Sequence, residues 1–138
     1  MAETLKLEIV TPESKIYSED VEVVTLPGSE GEAGIYPNHV PLMTQVQAGE
    51  IVVKRSGTEE VIAIGEGFAE ITADHVAILT DNAANSADID EAVAEEAKAK
   101  AEQRLEEGGD VSEEDAKALT QAILYSQAQI KAKRRKRV

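Results

Sequence analysis

The sequence predicts a small β-sheet domain, either a sandwich or a barrel, followed by a helical hairpin. Three observations predict this fold class. Apolar and polar residues alternate at strand spacing up to about residue 86, turn signals recur between the short alternating segments, and the apolar spacing becomes helical from Asp88 onward. A run of strands followed by a run of helices is typical of separate β and α parts. We therefore expect a sheet domain over residues 1–86 and a two-helix hairpin over residues 87–138.

Period-two alternation supports strands throughout the first part. The alternating apolar positions are Leu5, Leu7 and Ile9, then Val21 and Val23, then Ile62 and Ile64, and finally Val76 and Ile78. The turn signals are Ser56-Gly57, Gly65-Glu66-Gly67 and Ala73-Asp74. Two consecutive valines, Val23 and Val24, interrupt the alternation, and this interruption predicts a β-bulge.

The segment from Val24 to Leu42 reads as a shaped surface loop. It contains three prolines and three glycines: Pro27, Pro37, Pro41, Gly28, Gly31 and Gly34. Proline fixes φ and glycine permits positive φ, so neither a helix nor a central strand is expected here. The glycines do not form a phosphate-binding loop, because such loops open a helix and Pro37 and Pro41 forbid one. A stiff surface loop of this kind is suited to holding a partner.

Helical spacing defines the second part. The first apolar stripe consists of Ile89, Val93, Ala97, Ala101 and Leu105, and the second consists of Ala116, Leu119, Ile123 and Ile130. Asp88-Ile89-Asp90-Glu91 resembles a capping box, Gly108-Gly109 predicts a stop, and Ser112-Glu113-Glu114-Asp115 predicts a second start.

Two of the five residues in the first stripe are alanine, whose small methyl group predicts weak attachment of the hairpin. A buried methyl contributes only about 0.8 kcal/mol. We therefore weigh a hairpin that moves against a fixed helical cap on the sheet.

Charge is distributed unevenly along the chain. Of 14 basic and 27 acidic residues, seven basic and no acidic ones lie in residues 117–138. The acidic body repels nucleic acid and anionic membranes, whereas the basic terminus is attracted to either or to an acidic protein surface. A nucleic-acid module that uses this terminus is one alternative function, although 3% aromatic residues provide few stacking platforms.

The residue types favour neither catalysis nor metal binding. The chain has no cysteine and two histidines, His39 and His75, which lie far apart in sequence. The nearby carboxylates Glu30 and Glu32 are more typical of solvation or partner contact than of paired catalytic acids. We expect no catalytic residue, no metal and no cofactor, and a small stand-alone enzyme is the second alternative.

Three segments carry a resemblance to a known family. They are Pro27-Gly28-Ser29-Glu30-Gly31-Glu32-Ala33-Gly34-Ile35-Tyr36-Pro37-Asn38-His39-Val40-Pro41-Leu42, then Gly65-Glu66-Gly67-Phe68-Ala69-Glu70-Ile71, and then Asp88-Ile89-Asp90-Glu91-Ala92. In this order, along essentially the whole chain, they resemble the epsilon subunits of bacterial F-type ATP synthases.

The resemblance implies a ten-stranded β-sandwich followed by an antiparallel α-helical hairpin, in a non-catalytic subunit of the central stalk. It implies that the sandwich contacts the gamma subunit and the ring of c subunits. The residues implied for this docking loop are Gly28, Glu30, Gly31, Glu32, Gly34, Tyr36, Pro37, His39 and Pro41. The implied location is peripheral, on the cytoplasmic face of the bacterial inner membrane, which the chain reaches only through the complex.

The resemblance also implies a regulatory role for the hairpin. The hairpin would extend toward the alpha/beta hexamer and hinder ATP hydrolysis through basic contacts to the beta subunits. The residues implied for these contacts are Lys131, Lys133, Arg134, Arg135 and Arg137. Ile89 and Asp90 match part of a nucleotide site of many relatives, but Val93 stands where those relatives have arginine. Without a guanidinium to pair with phosphate, we expect weak or absent ATP binding.

Overall fold

Two five-stranded sheets face each other, and two helices follow them. The computed structural model describes residues 3–28 and 31–135. The strands are β1 Leu5–Val10, β2 Lys15–Val21, β3 Val23–Leu26, β4 Ala33–Ile35, β5 Leu42–Val46, β6 Gly49–Arg55, β7 Thr58–Ile64, β8 Gly67–Ile71, β9 His75–Thr80 and β10 Ala83–Asn85. A short 3-10 helix, Ser86–Asp88, leads into helices α1, Glu91–Glu107, and α2, Glu113–Arg134. The predicted ten-stranded sandwich with a helical hairpin is confirmed.

Some strands that are adjacent in sequence lie in different sheets. The first sheet runs β2-β1-β9-β8-β5, and the second runs β10-β7-β6-β3-β4. Only β1 and β9 pair in parallel among the described strands. Because β2 belongs to the first sheet and β3 to the second, the chain changes sheet at Glu22. The interruption at Val23 and Val24 therefore marks this change of sheet. The Glu22 amide donates to Lys54 O, although Val23 is the residue paired with Lys54, and the β-bulge expected here stays a prediction.

The main core fills the space between the two sheets. The alternation in β1 holds, since Leu5, Leu7 and Ile9 are buried. They meet inward residues of the second sheet such as Ile51 and Ile62 in one cluster. Full burial of each such side chain contributes roughly 1.5–3 kcal/mol, so this core is the main source of stability.

Polar bonds tie one side of the sandwich together across the two sheets. The Tyr17 hydroxyl on β2 donates a hydrogen bond to Glu60 Oε1 on β7 at 3.0 Å. Arg55 on β6 contacts both Glu60, at 3.1 Å, and Glu19 on β2, at 2.8 Å. Burial, followed by the bond to Glu60, raises the pKa of Tyr17, so the hydroxyl remains a donor.

The outer face of the second sheet is covered by α2. In β7, Ile62 and Ile64 point into the sandwich, whereas Val61 and Ala63 belong to a second cluster with Ala128 and Ala132 of α2. A strand covered on both faces is apolar along its length. Helix α2 contacts both β6 and β7, and it also packs along α1.

The helix ends follow the predicted signals with one shift. Ser112 caps α2, since its hydroxyl accepts a hydrogen bond from the Asp115 amide at 3.0 Å, and Gly108 ends α1 with φ 61°. The cap of α1 is Asp90, and Asp88 instead ends the 3-10 helix. The predicted capping box at Asp88 was therefore two residues early.

The first predicted stripe was wrong at two positions. Val93 and Ala97 are exposed, and α1 instead buries Ala94 and Ala101. In the second stripe, Ala116, Leu119, Ile123 and Ile130 are all half-buried, as expected.

Candidate docking surfaces

The loop between β3 and β5, which we call the ridge (residues 27–42), connects the second sheet to the first. Part of it forms β4, an edge strand paired with β3 through Val24 and Ile35. Gly31 has φ +110°, and its amide donates to Gly28 O at 3.2 Å. A Cβ on Gly28 would lie 2.9 Å from Gly31 O. Both glycines are therefore required by the turn that starts the ridge.

The far part of the ridge is fixed by hydrogen bonds to the rest of the sandwich. The Asn38 amide donates to Ala73 O at 2.6 Å, and the Asn38 side chain donates to Glu3 Oε2 at 2.8 Å. Asn38 has φ 69°, a conformation that asparagine tolerates better than most residues. His39 Nδ1 lies 2.7 Å from Val40 O and so donates to it. These bonds make the ridge a defined surface.

Side chains that a partner can cover lie along the ridge. Tyr36 is 62% exposed and Val40 is 74% exposed. Gly31, Glu32, Gly34, Pro37 and Pro41 also lie on this loop, where the sequence predicted them. Glu30 lies outside the described residues.

A second apolar surface, which the sequence analysis missed, covers the first sheet. We call it the open face; it comprises the outward residues Val10, Met43, Gln45, Phe68 and Leu79. Leu79 is paired with both Phe68 and Val10, and Phe68 is paired with Gln45, so they form one row across four strands. Phe68 is 52% exposed, and Met43 and Leu79 are also exposed. A groove of about 640 Å³ runs beside this row.

A signal for the open face was present in the alternation of β8. Ala69 and Ile71 are buried, which places Phe68 on the outside of the sheet. A large aromatic residue at an outward position indicates a contact surface rather than a core residue. Gly67 is required here as well, since a Cβ would lie 2.0 Å from Leu79 O.

The third surface is the basic end of α2. Arg134 pairs with Glu91 and Glu95 of α1, and the Glu91 carboxylate raises the pKa of Arg134. Lys133 Nζ donates to Ser86 O at 3.3 Å. Lys131 and Arg135 flank Glu50 of β6 at 3.7 and 3.6 Å. All four predicted contact residues that are described therefore face groups of this chain, and Arg137 lies outside the described residues.

The ridge and the basic end of α2 meet at one cleft. Glu32 of the ridge and Lys131 of α2 both line a cleft of about 300 Å³, together with Glu50. The open face lies on the other sheet and is separate from this cleft. The structure thus brings together two of the predicted sites.

The proposed nucleotide residues have structural roles in this fold. Ile89 is buried in the cluster between hairpin and sheet. Asp90 Oδ1 accepts hydrogen bonds from the amides of Ala92 and Val93 at 3.0 and 3.3 Å, which caps α1. Val93 is 61% exposed and provides no charge.

Within residues 3–28 and 31–135, no group of three or more histidine or acidic side chains has the arrangement to bind a metal ion. His75 instead contacts Glu8 at 2.6 Å. Neither of the described helices has the length and apolar character needed to cross a bilayer.

Comparison with known proteins identifies the family. Residues 4–86 match the model of the ATP synthase, Delta/Epsilon chain, beta-sandwich domain. The chain is 44% identical to the ATP synthase epsilon chain of Syntrophobacter fumaroxidans over 110 residues, which cover 80% of this chain and 82% of the relative. It is 48% identical to the ATP synthase epsilon chain of Dehalococcoides mccartyi over 98 residues, 71% of this chain and 70% of the relative.

Solved structures share the fold at lower identity. A chain in the cryo-EM structure of Euglena gracilis mitochondrial ATP synthase, OSCP/F1/c-ring, has a TM-score of 0.72 at 22% identity; the match covers 91% of this chain and 78% of that one. A chain in the Tetrahymena thermophila mitochondrial ATP synthase central stalk/c-ring has a TM-score of 0.57 at 11% identity, with 95% and 97% covered. From the sandwich match and the bacterial relatives together, the chain belongs to the ATP synthase epsilon chain family.

Proposed function

We propose that this chain is a non-catalytic central-stalk subunit of a bacterial proton-translocating ATP synthase. The observation that carries the proposal is the 44% identity to an ATP synthase epsilon chain over four-fifths of the chain. In this role the chain is peripheral to the cytoplasmic face of the inner membrane and reaches the membrane only through the complex. It couples the gamma subunit to the c-ring.

The two exposed surfaces of the sandwich suit two different partners. We assign the ridge to the c-ring and the open face to the gamma subunit. The ridge is hydrogen-bonded to the sandwich at Asn38, so it deforms little under load. The open face exposes large side chains on regular strands, and aromatic and methionine side chains are typical of the central part of an interface.

Capture of partners from membranes tests the coupling role. A tagged chain should recover the gamma subunit and the c-ring from detergent-solubilised bacterial membranes. Phe68→Ala should reduce recovery of gamma because it truncates the largest side chain of the open face.

Leu124→Ala is the matched control, since Leu124 is also exposed and apolar but lies on α2. Equal recovery of gamma by both variants would refute the assignment of the open face. Recovery of no rotor subunit by the wild-type chain would refute the coupling role itself.

We further propose that the basic end of α2 inhibits ATP hydrolysis through the beta subunits. The support is chemical: Lys131, Lys133, Arg134, Arg135 and Arg137 concentrate positive charge at the end of one long helix. Such a cluster orients a helix against an acidic surface. The basic cluster is less suited to binding nucleic acid, because the rest of the chain carries all 27 acidic residues and repels the phosphate backbone.

Charge neutralisation tests the inhibitory role. Changing Lys133, Arg134, Arg135 and Arg137 to glutamine should raise ATP hydrolysis by the reconstituted complex. Lys98, Lys100 and Arg104 of α1 changed to glutamine form the control, because this variant also loses positive charge from the hairpin. Unchanged hydrolysis in the first variant would contradict the proposal.

A further inference from the structure

The carboxylate of Glu50 is covered by the hairpin and lies between two cations of α2. Its side chain is only 7% exposed, although it sits on the outer face of β6. Its register partner is Ala63, which packs under α2 in the second cluster. The docked hairpin therefore covers the outer side of Glu50.

Desolvation makes this carboxylate costly to cover. Oε2 of Glu50 accepts no hydrogen bond from any of the described residues. A charge removed from water without full hydrogen bonding disfavours the state that covers it, unless an opposite charge compensates. When the hairpin leaves the sheet, Glu50 regains water, so this cost belongs to the docked state alone.

Lys131 and Arg135 supply the compensation. They lie 3.7 and 3.6 Å from the two Glu50 oxygens. Lys131 is largely exposed and Arg135 partly so, which lets a competing anion reach both of them. The other two described cations of this end serve different contacts, because Arg134 pairs with α1 and Lys133 with Ser86.

We propose that Glu50 senses whether Lys131 and Arg135 are occupied by a partner. While both cations lie beside Glu50, their charge compensates the buried carboxylate and the docked hairpin remains stable. When carboxylates of an acidic polypeptide segment draw the cations away, Glu50 is left buried without compensation, and the hairpin is expelled from the sheet. The identity of that segment as part of the beta subunits rests on the function proposed above, whereas the sensor itself does not.

A set of variants that remove these charges in the isolated full-length chain tests the sensor. The chain has no cysteine, so spin labels on Glu13→Cys of the sandwich and Ala99→Cys of α1, both exposed positions, report their separation by electron–electron resonance. Lys131→Gln with Arg135→Gln should raise the long-distance population by about tenfold or more, because one buried charge loses its partners.

The decisive variant adds Glu50→Gln to those two changes. It should return the long-distance population to near the wild-type level, since the uncompensated carboxylate is gone. Glu50→Gln alone should not increase it. If the cations acted only as ordinary surface attachments, the triple variant would stay as open as the double variant, and that result would overturn the proposal.

Lys100→Gln with Arg104→Gln is the matched control, because it removes two positive charges from α1 that do not line the clefts beside Glu50. This control should leave the distances unchanged, and opening equal to that of the Lys131 and Arg135 variant would also overturn the proposal.

Poly-L-glutamate serves as the acidic probe. It should open the wild-type hairpin at concentrations at least about threefold lower than those needed for Glu50→Gln, whereas equal concentrations would count against the sensor.

The two proposals fail separately. If the double and triple variants gave the same spin-label distances while the basic end still inhibited ATP hydrolysis, the sensor would be refuted and the proposed function kept. If the two variants differed as expected but the basic end had no effect on hydrolysis, the sensor would be kept and the inhibitory role refuted.

Discussion

Glu8 illustrates how a single residue of the first sheet is tuned by its neighbours. Its carboxylate pairs with Lys15 on β2 and with His75 on β9, so it joins the strands on both sides of β1. The bond to Lys15, followed by the bond to His75, lowers the pKa of Glu8 from 4.5 to about 2. A lowered pKa means that the folded state favours the ionised form.

The sign of the resulting pH dependence follows by linkage. The stability from Glu8 is fully present above pH 4.5 and is lost as the pH falls toward about 2. We expect Glu8→Gln to unfold with a shallower dependence on pH than wild type across this window, measured by urea denaturation at several pH values. Glu13→Gln, in the exposed turn beside β2, is the control and should follow wild type. A Glu8→Gln curve parallel to wild type would contradict this reading.

The environments of Asp90 and Val93 predict weak or absent ATP binding. The Asp90 carboxylate already caps two amides of α1, and Val93 offers no positive charge. Calorimetric titration of the chain with ATP should show no micromolar binding, whereas a micromolar dissociation constant would contradict the prediction. Val93→Arg supplies the missing guanidinium at an exposed position and should bind ATP more tightly than wild type, with Val93→Lys as the control for charge alone.

At the scale of elements, the hairpin is attached mainly by small side chains. Ala128 and Ala132 of α2 lie against Val61 and Ala63 of β7, and Ile89 is the largest aliphatic side chain in this cluster. Alanine contacts contribute little area each, so Ile89 contributes disproportionately to the attachment.

Truncating Ile89 should therefore loosen the hairpin and spare the sandwich. Ile89→Ala is expected to cost about 2–5 kcal/mol where the site cannot collapse, and we expect the loss to appear as faster hydrogen exchange in α2. Exchange in β8 and β9 should stay unchanged, because Ile89 makes no part of the main core. Leu105→Ala, at the far end of α1, is the control. Equal acceleration in sandwich and hairpin would show that the two are not separable.

The elements show what periodicity can and cannot predict. Strand positions in β1 were predictable because one face of the strand is buried and the other is exposed. The α1 stripe was not, because a step of four residues drifts by about 40° around a helix, whereas the observed pair Ala94 and Ala101, seven residues apart, drifts by only about 20°. Alanines on several faces of α1 left the sequence without a contrast that would choose between these spacings.

At the scale of the whole molecule, two apolar clusters have almost separate memberships. Among the described residues, the main core draws only on strands, and the second cluster joins α2 and Ile89 to the outside of β7. The family match to residues 4–86 ends where the strands end. We propose a division near residue 86 on these two facts; the change of period predicts the same boundary, which stays a prediction until it is tested.

Truncation tests that division. A chain of residues 1–86 should fold and unfold cooperatively, because none of its main core is lost. It should be less soluble than the full chain, since Val61 and Ala63 become exposed. The full-length chain, measured under the same conditions, provides the reference. An unfolded fragment by circular dichroism would show that the hairpin is needed for the sandwich.

The candidate sites were predictable only where the residue type itself is unusual. The prolines and glycines of the ridge and the basic end of α2 stand out in the sequence. The open face does not, because it arises only when Val10, Leu79 and Phe68 from distant segments align in register. Glu50 was missed for the same reason, since its burial depends on a helix some eighty residues away.

The bonds from Tyr17 and Arg55 on β2 and β6 bear on mechanical work. The open face belongs to the first sheet, whereas β4 of the ridge belongs to the second, and the end of the ridge continues into β5 of the first. A twist applied at β4 therefore passes between layers as well as along the chain into β5, and apolar contacts alone resist sliding between layers poorly because they have no direction. The directional bonds to Glu60 and Glu19 act as cross-braces, so the sandwich can transmit shear without its layers slipping.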